Sequence, residues 1–416
     1  MNFKYVMMAC ALTLGFASCS NDDEVDNGGI IPNGEPTVAR IRLSQSGPDT
    51  RATKPTEGNE GKIKNAIIYI FDATAKFEKA VPLTKTEMDN GELVTITTGS
   101  HYFYAAVNPD GLTLPTIDEG TSLEEAKKKV LSSLTMAKLT NPAGFFMTNV
   151  SDALAKNIVV SEDGSENDIK IEVGRAVAKV NVDLAAGITV TDGTFTDMKY
   201  RIGGNPKQMH LFPVYDGGIL NTPLRDVAYT DGNYMFSNDS ENYIDGATAT
   251  YATENSAPNT ALQGKATHAW VKGVYTPKDM TLVDGNFWRV YDKSEKAWKA
   301  GIYASEDDAV NIGNGGSREG VVKYAGGTCY YAFWITDENA AEKYTVSRNN
   351  YYDIKIQSVA KIGTNTEEGD KDIDGDPITD PVNPPVKPTD PIEESTKMKV
   401  SINVLPWNLV ETGVGL

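Results

Sequence analysis

The 416-residue chain contains only three cysteines, Cys10, Cys19 and Cys329, and three histidines, His101, His210 and His268. They are too few and too scattered to build a disulfide framework or a cysteine–histidine zinc set. Basic residues are also scarce, 39 against 57 acidic ones, for a net charge of -18. That balance argues against nucleic acid as a partner, because little here could neutralise a phosphate backbone and release its counterions. Beyond the N-terminal segment no apolar run approaches the ~20 residues a membrane-spanning helix needs. HExxH, GxSxG, GxxxxGK and CxxC do not occur, so zinc hydrolase, serine hydrolase, P-loop and redox signatures all fail. The sequence calls for no cofactor and no metal, and reads as that of a non-enzymatic protein. Cys329, in GTCYYAFWI, reads as a small buried hydrophobe within a strand.

The chain begins MNFKYVMMACALTLGFASCSNDDE: a lysine, a short apolar run, then small residues ending at Cys19. This is a secretory signal, too short to span a bilayer. A signal that stops at a cysteine before a polar, acidic stretch resembles a bacterial lipoprotein signal. Cys19 would then be the lipidated first residue, anchoring the chain to the membrane without spanning it. Phe16 stands where that motif prefers leucine, and cleavage near an unmodified Cys19 is the alternative.

An acidic leader follows, and then TVARIRLS, in which Ala39, Ile41 and Leu43 share one face of a short amphipathic strand. The loop QSGPDTRATKPTEGNEG, with Arg51 in its middle, fences that strand off from the body. The body reads as strands separated by Gly, Asn, Asp and Pro clusters, including KIKNAIIYIFD, DIKIEVGRAVAKVNVDL and NNYYDIKIQSV. One helix is expected, SLEEAKKKVLSSLTMAKL, with Leu123, Ala126, Val130, Leu131 and Leu134 at helical spacing. The expected fold is mainly β, two β-sandwich domains of transthyretin-like or Greek-key type with few helices. The boundary is expected near 185–187, giving an N-terminal domain over 52–186 and a C-terminal domain over 187–363.

Residues 364–396 are acidic and proline-rich and predict an extended, solvated linker with a reach on the order of 100 Å at about 3.1 Å per residue. It leads to KMKVSINVLPWNLVETGVGL, residues 397–416, where Met398, Val400, Ile402 and Val404 alternate with polar side chains. Within the linker, Asp370, Asp372, Asp374 and Gly375 open like a calcium loop, but Pro381 replaces the bidentate glutamate at the twelfth position. A solvated acidic segment accounts for the same residues. Asn149-Val-Ser151 and Asn238-Asp-Ser240 match the glycosylation sequon. Trp270, Trp288, Trp298 and Trp334 suit either strand packing or a carbohydrate platform.

The leader to Cys19, TVARIRLS before TRAT, IKNAIIYIFD, VGRAVAKVNV, SRNNYYDIKIQSVAKIG and VSINVLPWNLV together resemble the fimbrillins of Bacteroidales, the major subunits of type V pili, and most of all the short-fimbria major subunit. The resemblance implies a precursor with signal peptide 1–18 and lipidated propeptide 19–51, held at the outer membrane by Cys19. It implies cleavage by an arginine-specific protease, for which Arg51 is the expected residue. Arg40 and Arg42 are runners-up, disfavoured because they lie within a strand. Removing the strand of Ala39, Ile41 and Leu43 would open an apolar groove with unpaired backbone groups, an edge that captures another strand. The tail of an identical or related subunit would supply Met398, Val400, Ile402 and Val404, with Leu405 and Trp407 packing the opposite side or the rim. Donor and acceptor surfaces differ, so the contact would propagate head to tail into a fimbria on the cell surface. A tail folded into its own domain is one alternative, and a monomeric surface lipoprotein binding glycan or host protein is another.

Overall fold

A computed structural model describes residues 34–45, 58–216, 219–220, 222–237, 242–378, 385–393 and 397–407. The protein is mainly β, as expected. The N-terminal half is one eight-stranded sheet in the order Phe77–Thr84, Asn65–Phe71, Gly99–Val107, Met147–Asn149, Asp168–Arg175, Pro36–Gln45, Leu93–Thr97, with Leu154–Ile158 pairing on Gly99–Val107. Alternation explains it: Ile68, Ile70, Phe103, Ala105, Ile169 and Ile171 are fully buried on one face, in a single apolar cluster. Tyr69, Phe71, Tyr104 and Ala106, from the other face, enter a second cluster.

The C-terminal half is a sandwich of two four-stranded sheets. One runs Thr250–Thr253, Val177–Val190, Asn350–Val359, Met398–Pro406, and the other Ile244–Asp245, Gly193–Gly203, His268–Pro277, Thr328–Trp334. Val180, Val182, Ile354 and Ile356 of the first meet Tyr200, Val271, Tyr331 and Phe333 of the second in one core. Cys329 lies fully buried in that core, and burial pushes its thiol far above the ordinary range. The run DIKIEVGRAVAKVNVDL is two strands rather than one. Ala176 separates them, so the chain passes from one sheet to the other there, earlier than the expected 185–187.

The expected helix over 122–139 is broken. Leu123–Lys127 and Met136–Leu139 are helical, but Val130–Leu131 pairs with Met209–His210 and Ser133 has φ +54°. Ala126, Leu131 and Leu134 are nevertheless buried. The apolar spacing therefore marked the inward-facing positions while the backbone found other partners.

The linker also differs from its expectation over its described residues. Thr364 exchanges both backbone hydrogen bonds with Tyr330, at 2.9 and 3.0 Å, and Ile378 and Val386 are buried. Its acidic side chains serve the turn: Asp372 Oδ1 accepts from the N–H groups of Asp374 and Asp376, at 3.2 and 2.9 Å. Asp370 Oδ1 accepts from the Tyr324 hydroxyl and the Asn365 N–H, while Asp374 pairs with Arg318. These carboxylates stabilise a packed turn, and among the described residues no group of three or more acidic, His or Cys side chains could hold a metal ion. At the first sequon Asn149 is buried, accepting from Ala105 N and donating to Phe103 O. Asn238 and Ser240 lie outside the described residues.

Candidate assembly site

Pro36–Gln45 occupies a slot inside the N-terminal sheet. Pro36 to Arg40 pair antiparallel with Leu93–Thr97, and Arg40 to Gln45 pair parallel with Asp168–Val173 of the strand Asp168–Arg175. Ala39 and Ile41 are 0 and 1% exposed and Leu43 packs half-buried beside them, against Val94, Ile96, Ile169 and Ile171. The inward row has a fourth member that hydropathy missed, Thr37. Its hydroxyl donates to carbonyl oxygens of Val159 and Ser161 and accepts from Ser161 N at 2.8 Å. Asn167 is equally hidden from pattern reading: fully buried, it donates to Val38 O at 2.9 Å. The outward Arg42 pairs with exposed Asp168, which contributes little.

The position of this strand is unusual in one respect. Among the described residues Leu93–Thr97 joins the sheet through Pro36–Gln45 alone. Without the first strand, two ladders lose their partner, one on each side of the slot.

The tail is docked at an edge of the C-terminal sandwich, where Met398–Pro406 pairs antiparallel with Asn350–Val359. It is not the free tail expected. The inward face is as read: Met398 is buried, Val400, Ile402 and Val404 are half-buried against the C-terminal core, and Lys399, Ser401 and Asn403 face solvent. Leu405 and Trp407 turn to the other side and enter the second cluster of the N-terminal half. The physical reason for docking is this double attachment, which the sequence pattern of the first four side chains does not reveal.

Trp407 is fully buried in a socket of charged and aromatic groups. Its ring stacks on Tyr251 at 5.8 Å and meets Phe145 edge-on at 6.3 Å. The Arg175 guanidinium lies 4.1 Å from the ring centroid, and its Nη1 donates to Trp407 O at 2.7 Å. Burial lowers Arg175 to about 10, against the attraction of Glu60. Glu60 also accepts from Lys179 Nζ at 2.8 Å and from the Tyr251 hydroxyl at 2.7 Å. Charges this deeply buried persist only when paired and hydrogen-bonded. Sequence reading missed this socket, although Arg175 and Lys179 interrupt an apolar strand run in VGRAVAKVNV.

The structure therefore places the first-strand and tail-strand residues in two separate sheets of one molecule. It does not bring them together. Cys19 and Arg51 lie outside the described residues, Arg51 between Gln45 and Gly58.

The family model of the major fimbrial subunit protein type IV, fimbrillin, C-terminal, matches residues 322–412. A comparison with curated protein sequences gave no significant match. Among solved structures, the chain is similar to a fimbrilin (fimA) from Porphyromonas gingivalis, at 17% identity and a TM-score of 0.47, over 92% of this chain and 100% of that one. It is similar to the tip fimbrial protein Mfa3 of the same organism, with C-terminal truncation, at 13% identity and a TM-score of 0.40, over 90 and 100% of the two chains. A fimbrial assembly protein from Parabacteroides distasonis aligns at 11% identity and a TM-score of 0.34, over 77 and 91%. Likenesses of this size do not extend to function.

Proposed function

We propose that this chain, whose residues 322–412 match the fimbrillin C-terminal family model, is a structural subunit of a cell-surface fimbria that polymerises by strand donation and supports adhesion. In this reading the precursor reaches the outer membrane anchored through Cys19. An arginine-specific protease cuts after Arg51 and frees Pro36–Gln45. The tail of an identical or related subunit then enters the slot.

One observation carries the proposal: the first strand is an interior strand whose sequence leads toward Arg51, while the tail is an edge strand with a matching inward row. An edge strand has one ladder partner. In the slot it would have two, and Val400, Ile402 and Val404, half-buried now, would enter a row in which Ala39 and Ile41 are fully buried and Leu43 is half-buried. Each would add on the order of 1 kcal/mol of apolar burial. Strand burial therefore favours exchange once the first strand has left, and exchange is blocked while it remains. Ile41 and Ile402 are the central large residues of the two rows, which makes them the natural counterparts.

The test is to treat the full chain with an arginine-specific protease, map the new N-terminus and follow size by native gel and electron microscopy. The expected product begins at Ala52 and forms ladders or filaments. Arg51→Ala should remain uncut and monomeric, and deletion of 398–416 should leave a folded, cleavable monomer. Normal polymers from both variants would sink the reading, and a clean cut that yields only monomers would favour a monomeric surface protein.

A further inference from the structure

A cavity of about 590 Å³ opens where the two halves of the molecule meet, within the size range of small-ligand sites. Two aromatic walls face it. Tyr229 forms one, its ring stacked on Tyr234 at 5.3 Å. Trp270 and Phe236 form the other, both half-buried and held by the Arg201 guanidinium, 5.2 and 4.3 Å from their ring centroids. Arg201 is fixed in turn by Glu367 at 2.9 Å. The walls are thus positioned in advance of any ligand.

The polar groups are few. His268 donates from Nδ1 to Ala266 O at 2.8 Å, which leaves Nε2 as an acceptor. Burial, with Arg201 nearby, holds this imidazole neutral, pushed down to about 4. Gly203, another lining residue, keeps that nitrogen uncovered, since a Cβ there would sit 2.7 Å from Nε2. Its φ is not in the left-handed region, so the backbone alone does not demand glycine. The two charged residues that line the cavity, Lys207 and Asp231, are of opposite sign, and Asp231 accepts from the Tyr229 hydroxyl at 2.6 Å.

We propose that this cavity binds a neutral pyranose ring, a terminal sugar of a glycan. Aromatic faces carry the negative lobe of the ring quadrupole and suit the weakly positive C–H faces of a sugar. His268 Nε2 and Asp231 accept from its hydroxyls, and Lys207 donates to its oxygens. Opposite charges at the mouth favour an uncharged sugar over an acidic one. The site does not depend on assembly and is complete in a single chain.

The test is ligand-observed saturation-transfer NMR on the full chain with the methyl glycosides of glucose, galactose, mannose and N-acetylglucosamine. N-acetylneuraminic acid and N-acetyl-tryptophanamide serve as the charged and the purely aromatic alternatives. At least one neutral glycoside should bind, and Trp270→Ala should weaken it by about tenfold or more, as loss of an aromatic anchor does. Gly203→Ala, which keeps every aromatic side chain and covers Nε2 while its Cβ comes 3.3 Å from the Phe236 ring edge, should weaken it similarly. Trp298→Ala, in a different sheet, should bind as the parent does. Thermal melts of each variant identify any that fails to fold, and Gly203→Ala then decides for Trp270→Ala or the reverse. Binding by neither class of glycoside, binding insensitive to both variants, or binding of only the acidic sugar or the tryptophan derivative would overturn the proposal.

Discussion

Trp407 secures the tail more firmly than the aliphatic side chains before it. Val400, Ile402 and Val404 are half-buried on the edge of a sheet, whereas Trp407 is fully enclosed between Tyr251, Phe145 and Arg175. Trp407→Ala should cost the docked tail about 3 kcal/mol. The measurement is amide exchange across 399–406, expected to rise by roughly two powers of ten if opening is local. A second residue sets a pH dependence. His268 is buried neutral, its folded value lowered to about 4 from an ordinary 6.5, so protonation favours the unfolded chain. Its contribution is complete above pH 6.5 and is lost as pH falls toward 4, about 3 kcal/mol in all. Denaturant midpoints measured across that window should fall with pH, and His268→Gln should flatten the curve.

At the scale of elements, the first strand bridges two neighbours, and its removal should be felt most by Leu93–Thr97, which it alone joins to the sheet among the described residues. After cleavage, amide exchange over 93–97 and 168–173 should accelerate, and a synthetic peptide of residues 397–416 should restore protection. The same peptide carrying Ile402→Asp should not, because a carboxylate at the centre of an apolar slot has no partner. These two strands were legible in the sequence because each has one buried face, and a period of two is the direct imprint of that. The helix over 122–139 was misread for a related reason. Apolar spacing reports which side chains are buried, and here Val130–Leu131 took their partners from Met209–His210, a contact that local periodicity does not encode. The packing of 364–378 was hidden because many of its hydrogen bonds come from Asp, Asn and Thr side chains, whose composition also suits a solvated linker. Trp407 lies on the side of the tail away from Val400 and Ile402, and its socket was not legible, since Glu60, Arg175 and Tyr251 are distant in sequence.

In the whole molecule, the two halves are joined through buried charged side chains. Arg348 pairs with Glu254 and also donates to Thr148 Oγ1 at 2.9 Å and His210 O at 3.1 Å. Glu60, Arg175, Lys179 and Trp407 form a second such junction. Removing one partner of such a pair strands a buried charge, so Glu254→Gln should destabilise the fold by about 3 to 5 kcal/mol, read from denaturant unfolding. In the proposed assembly the tail has two alternatives, its own edge or a neighbour's slot. The most direct measurement of that choice uses the opposed pair Lys355 and Ser401, which face outward across the two strands. The double variant Lys355→Cys/Ser401→Cys, oxidised, ties the tail to its own sheet. After arginine-specific cleavage it should stay monomeric, and filaments should appear when reductant is added. Filaments that form equally well with the disulfide intact would contradict assembly through the tail.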